Sequence, residues 1–233
     1  MLAATAAICL LGLLAELARP ALDLDGSAAL LSLSYEGNLP TWYASALPLL
    51  IAALLAWIAA ITPADRPYWR GLALGFLLIS IDEVVGGHEH LSALFDTGGV
   101  LYFGWVIPAG ALVLVLGLTY LGFLRRLPRE TAKQFTLAGA LYLTGALLLE
   151  LPLGYWTERH GDDGLGYALI DWCEETLEFV GLTLFARHLL DLLDGRALRL
   201  RGRDAEPPSH ITAPHRPDET VVPEVHQRDD QRR

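Results

Sequence analysis

The chain has 233 residues, 53% of them hydrophobic and 19% charged, and a mean hydropathy of +0.37. That is too apolar for a soluble domain of this size once the polar C-terminal end is set aside, so one membrane domain plus a tail is expected. The formal net charge of −10 argues against nucleic acid as a partner, and two isolated cysteines, Cys9 and Cys173, imply no disulfide framework.

Runs of about 17–25 apolar residues read as membrane spans. They lie near residues 2–18, 42–62, 71–92, 100–124, 133–156 and 166–190. The predicted fold is therefore all-α, a polytopic membrane helical bundle of about six transmembrane helices over residues 1–195. No basic stretch precedes 2–18, which is read as a retained first span rather than a signal peptide. Glu16, near its end, reads as a carboxylate at the interface.

The acidic loop 19–41 ends in Glu36-Gly37-Asn38-Leu39-Pro40-Thr41, turn chemistry leading into Trp42 and Tyr43 at the head of the second span. Glu36 and Asn38 read first as solvated turn residues and second as groups reaching over a site. The third span carries Asp82, Glu83, His88, Glu89 and His90 at a depth where ionisable groups are costly unless paired. On a straight helix Asp82, Glu83, Glu89 and His90 share an arc of about 120°, with His88 on the far side. Gly86-Gly87 interrupts that helix and would void the wheel beyond it.

The fourth span is uncharged and holds Pro108, a predicted kink. The fifth places Glu150 within its apolar run. The sixth carries Asp171, Glu174, Glu175 and Glu178 on a stripe about 100° wide. Beyond Gly195, residues 196–233 are rich in charge and proline and are expected to form a disordered cytoplasmic tail.

Loops 63–70 and 125–133 and the tail hold the Arg and Lys excess, which predicts both termini in the cytoplasm of a multi-pass inner-membrane protein. That orientation puts the acids of three separated segments at one depth on the outer side. Up to Gly195 there are twenty acids and nine bases, and between about 71 and 186 every base sits at a loop or helix end. The intramembrane carboxylates must then be protonated, hydrated or metal-bound.

Asp82, Glu83, Glu89, Glu150, Asp171, Glu174, Glu175 and Glu178 with His90 make an oxygen-rich shell that suits a divalent metal ion such as Fe, Mn or Zn. No Glu-x-x-His pair of the di-metal carboxylate bundles occurs within a span. Two functions follow. One is an outward-facing metal-dependent membrane enzyme acting on a lipid-like or quinone-like molecule in the bilayer. The other is a proton- or cation-coupled transporter or channel using the same carboxylates.

The runs EGNLPTWY, LLISIDEVVGGHE and DWCEETLEFVG resemble a group of uncharacterised bacterial multi-pass membrane proteins with no assigned activity. These share a Glu-x-Asn-x-Pro-Thr-Trp loop, a Ser-Leu-Asp-Glu…His-Glu helix and a late Glu-Glu…Glu helix. The resemblance implies a site at Asp82, Glu83, His88, Glu89, Glu174, Glu175 and Glu178, which adds His88. Ile81 replaces the usual leucine, and Gly86-Gly87 replaces small or β-branched residues. The alkaline ceramidase type of membrane hydrolase is set aside, because its late His-xxx-His is missing.

Overall fold

The computed structural model describes residues 1–22, 29–162 and 164–204. All regular structure among them is helical. In chain order it comprises α1 (Leu2–Leu22), α2 (Leu39–Ile61), α3 (Arg66–Val85), α4 (Gly87–Ser92), a 3-10 turn (Gly99–Leu101) and α5 (Val106–Arg126). There follow α6 (Arg129–Leu143), a π segment (Thr144–Leu149), α7 (Glu150–His160) and α8 (Leu165–Asp204). Residues 1–196 form one unit, and a second begins at Ala197. Residues 205–233, and the disorder expected of them, lie outside the described residues.

Each of the six apolar runs is helical, but they are not alike. The stretches Leu39–Ile61, Val106–Arg126 and Arg129–His160 are long and apolar enough to cross a membrane, while the apolar part of α1, Leu2–Ala18, is shorter. The remaining long helices, α3 and α8, carry Asp82 and Glu83 and the stripe from Asp171 to Glu178. Along α5, Leu114 and Leu118 are 64% and 66% exposed, an apolar surface suited to lipid tails.

The helix ends have local causes. Asn38 caps α2 by accepting from the Thr41 N–H at 3.0 Å, and Pro40 sits in the first turn where its missing N–H costs nothing. Arg66 Nε donates to Ala59 O at 3.1 Å, satisfying a carbonyl in the last turn of α2. Asp65 accepts from Arg126 Nη2 at 2.6 Å and Nε at 3.1 Å, tying the start of α3 to the end of α5. The fourth run begins its α-helix at Val106 rather than near 100, because Gly98 and Gly99 (φ +64°) open a turn first. Gly99 N–H donates to Glu158 at 3.0 Å, and Tyr102 and Phe103 rest on Gly154 of α7.

The interior divides along its length. At one end Ile51, Leu55, Ile58, Trp69, Phe123, Phe135, Phe185 and Leu189 form a continuous apolar core. Trp69 meets Phe123 edge-on at 4.9 Å, and Phe76 stacks on Phe185 at 5.2 Å. The other end is polar and holds the site. Between them Ser45 Oγ donates to Ser80 O at 3.0 Å and Ser80 Oγ returns to Ser45 O at 2.9 Å, a reciprocal clasp of α2 and α3. Against α2 and α8, α1 buries Thr5, Cys9, Gly12 and Glu16, and Thr5 Oγ1 lies 2.7 Å from both Tyr43 OH and Thr183 Oγ1.

Helix α8 crosses α6 at Gly181, where an added Cβ would stand 2.7 Å from Tyr142 N and 2.8 Å from Ala138 O. Backbone cannot yield as a flexible side chain can. Gly181→Ala is expected to lower stability by about 1–3 kcal/mol. Gly139→Ala, where nothing lies within 4 Å, should instead gain about 0.5–1 kcal/mol from helix propensity. Thermal unfolding in detergent checks the pair, and equal shifts would contradict the crossing.

Candidate functional site

The site is built by a helix that stops. Gly86 ends α3 in the left-handed region (φ 62°, ψ 37°), its N–H bonded to Asp82 O at 2.8 Å. Glycine takes that conformation without strain. The chain restarts in a new direction as α4, so the straight-helix wheel fails beyond Val85. His88, placed by that wheel on the far side from Asp82, returns to it: Nδ1 is 2.7 Å from Asp82 Oδ2. Gly87 leaves the space, since a Cβ there would stand 2.6 Å from Asp82 Oδ1. With Nδ1–H donating to the carboxylate, Nε2 is left as an acceptor. His90 is exposed and its Nδ1–H donates back to Gly86 O at 2.7 Å.

The next link is aromatic. The His88 ring tilts against Trp105 at 5.1 Å, and Trp105 Nε1 donates to Glu150 Oε1 at 3.1 Å. Glu150 follows directly on the π segment, a feature that re-aims what comes after it. Inside that segment Gly145 meets α8 closely enough that a Cβ would stand 2.6 Å from Glu174 O. This contact draws the start of α7 and the acid stripe of α8 together.

A cavity of about 460 Å³ results. The loop before α2 contributes Glu36; α3 and α4 contribute Glu83, His88 and Glu89; α7 contributes Glu150; α8 contributes Asp171, Glu174 and Glu175. Tyr102, Trp105 and Tyr167 add rings, and no lysine or arginine is among the lining residues. Of the sequence-derived set, Asp82 stands behind His88 as its partner. His90 and Glu178 do not line the cavity; Glu178 Cγ lies against Gly145 instead. Ser80 is buried in its clasp with Ser45, as a structural residue.

Two residues that read as interfacial or solvated belong to the site region. Glu16 is 2% exposed and accepts from Ser32 Oγ. Its signal in the sequence is the spacing of Thr5, Cys9, Gly12 and Glu16, one buried face of a helix. Glu36 reaches the cavity because Asn38 Nδ2 donates to Ala29 O at 2.8 Å and Ser32 O at 2.7 Å, folding the loop inward.

Several buried carboxylate oxygens are left over. Glu150 and Glu174 are each 8% exposed, and Oε2 of both has no hydrogen-bond partner among the described residues. Asp171 is buried with the Ser34 hydroxyl as its side-chain hydrogen-bond donor. Such groups cost about 1–3 kcal/mol each when unsatisfied, so the cavity is built to receive hydrogen-bond donors or positive charge. Among the described residues no three His, Cys, Asp or Glu side chains converge in an arrangement that could hold a metal ion. The expected metal set therefore gains no support from the side-chain geometry.

Fold and site define an all-α chain with membrane-length apolar helices around a buried acid cluster. The chain belongs to the family described as Domain of unknown function (DUF8692), whose model matches residues 1–192 and so takes in every residue of the cavity. No curated protein and no solved structure matches it.

Glu36 lies in the loop, outside the apolar helices, and its carboxyl titrates above the ordinary glutamate value. Burial is the largest cause, followed by the charge of Glu89 and a hydrogen bond with it, while His88 and His90 pull the other way. The folded loop thus favours the protonated acid. Its contribution is present at acid pH and is lost as pH rises through the raised value. Glu36→Gln is expected to keep residues 32–38 protected from hydrogen exchange at pH 8, where the wild type loosens, with no difference near pH 4. A pH-independent difference would contradict the shared proton.

Proposed function

We propose that this is a six-span integral membrane protein whose one-ended carboxylate–histidine cavity is the active site of a membrane enzyme acting on a lipid-like substrate. The observation that carries the reading is the lengthwise division of the interior. The acids meet at one end, and beyond Ser80 and Phe179 the bundle is filled mainly by aromatic and aliphatic side chains. Its buried polar groups there are Thr183 and the His188 Nδ1, with no buried carboxylate among the described residues. A proton or cation pathway would need polar groups through that second half, where Thr5, Tyr43 and Thr183 satisfy one another.

Six spans follow if α1, α3 and α8 cross beside the three clearly apolar stretches, their polar residues turned inward. The positive residues support an orientation. Arg125, Arg129 and Lys133 border a groove between α5 and α6 at the core end, so that end faces the cytoplasm and the cavity faces outward.

The chemistry offered is acid–base. His88, held by Asp82, presents Nε2 to the cavity as a base. Glu150, beside it through Trp105, is placed to give a proton.

Proteoliposomes carrying the protein and a total bacterial lipid extract, followed by mass spectrometry, test this. Wild type should convert a lipid species, and His88→Ala should slow conversion by about 10²–10⁴-fold. Loss of turnover in EDTA, restored by Fe, Mn or Zn, would assign the metal; indifference to EDTA would leave acid–base chemistry alone. Gradient-driven cation or proton uptake with every lipid unchanged would contradict the enzyme reading.

A further inference from the structure

The cavity lining is unbalanced in a way that specifies its ligand. Acceptors are in excess: Oε2 of Glu150 and of Glu174 are buried without a hydrogen-bond partner among the described residues, and Asp171 has only the Ser34 hydroxyl beside it. Cationic donors are missing, because no lysine or arginine is among the described lining residues, and the Trp105 N–H is already spent on Glu150 Oε1. The donors left are hydroxyls such as those of Ser34, Ser92 and Tyr167. A phosphate, sulfate or carboxylate would meet only like charge there. A neutral carbonyl could use those hydroxyls but would leave the carboxylate oxygens without a donor. The complement is a cation that brings several N–H groups with it.

We propose that the cavity takes a primary ammonium headgroup, held by Glu174, Glu150 and Asp171 against the face of Trp105; this rests on the reading of the cavity as a substrate site. An alkylammonium carries three N–H donors on one compact charge, enough to serve the two unpartnered glutamate oxygens and one oxygen of Asp171. Its hydrogen bonds to carboxylates run about 2.7–2.9 Å. A metal would need its oxygen ligands drawn to about 2.0–2.2 Å, a convergence absent among the described residues. Trp105 and Tyr167 add rings that attract a cation. A quaternary ammonium would gain from the rings but leave the oxygens unsatisfied, so the two headgroups are discriminated.

The mouth points to an amphiphile. Val84, Val85 and Leu94 are 70%, 61% and 77% exposed beside the lining residues Glu83 and Ala93. An alkyl tail leaving the cavity at that level meets apolar surface rather than water.

The test uses the full chain in nanodiscs of zwitterionic lipid, with EDTA present throughout. Calorimetry compares dodecylamine, dodecyltrimethylammonium and dodecyl sulfate, three probes with one tail. Dodecylamine is expected to bind about tenfold or more tightly than the trimethyl probe, with no binding of the sulfate. Glu174→Gln and Glu150→Gln should each weaken dodecylamine by about tenfold while leaving the trimethyl probe nearly unchanged. Either variant suffices if the other fails to fold. Equal affinity for the two cations, or affinity for dodecylamine unchanged in the folded variants, overturns the proposal. Lipid turnover without this selectivity would remove the ammonium assignment alone. Selective binding without turnover would support it while removing the enzyme reading.

Discussion

Acids face one another in this protein without a base. Glu83, Glu150, Asp171, Glu174 and Glu175 line one cavity, with no lysine or arginine among its described lining residues. At low dielectric, like charges so placed repel by several kcal/mol, and single ions lose much of their hydration. In the proposed reading the fold tolerates them because protons, water or a cationic ligand enter from one end, and the opposite end is held by a dense aromatic core. Stability and the proposed chemistry are thus assigned to different halves of the same helices.

Glycine placement makes the arrangement possible. Gly86 turns the chain at positive φ, Gly87 clears Asp82, Gly145 lets the π segment touch α8, and Gly154 seats Tyr102 and Phe103. The last three are close approaches that a side chain would crowd, and Gly86 supplies a backbone conformation that other residues rarely adopt. Together they convert acids scattered over three sequence segments into one lining. The Asp82–His88 pair is the clearest product: a carboxylate six residues before an imidazole orients it only because the helix breaks between them.

Much of this was legible in the sequence. Apolar runs of membrane length gave the helices, and the acids of α3, α7 and α8 announced themselves by standing inside those runs. Their meeting followed from depth counting alone, since alternate helices run in opposite directions. What escaped was whatever depended on a backbone irregularity. The straight-helix wheel favoured His90 and turned His88 away, whereas the resemblance pointed to His88; the turn at Gly86 accounts for the difference. The π segment carries no residue signature in TGALLL beyond its glycine. Glu36 looked like an ordinary turn residue, because the Asn38 bonds that fold its loop inward join residues up to nine apart. Metal ligation was an inference from donor type, and donor type says nothing about convergence.

The central claim is that the cavity opens to one membrane face and is closed to the other. Its most direct test is a single cysteine at Glu83 in a chain whose Cys9 and Cys173 are replaced by serine or alanine. Right-side-out and inverted membrane vesicles would each be treated with a membrane-impermeant thiol reagent. The account predicts labelling in right-side-out vesicles only. Labelling from the cytoplasmic face, or from both, would contradict it.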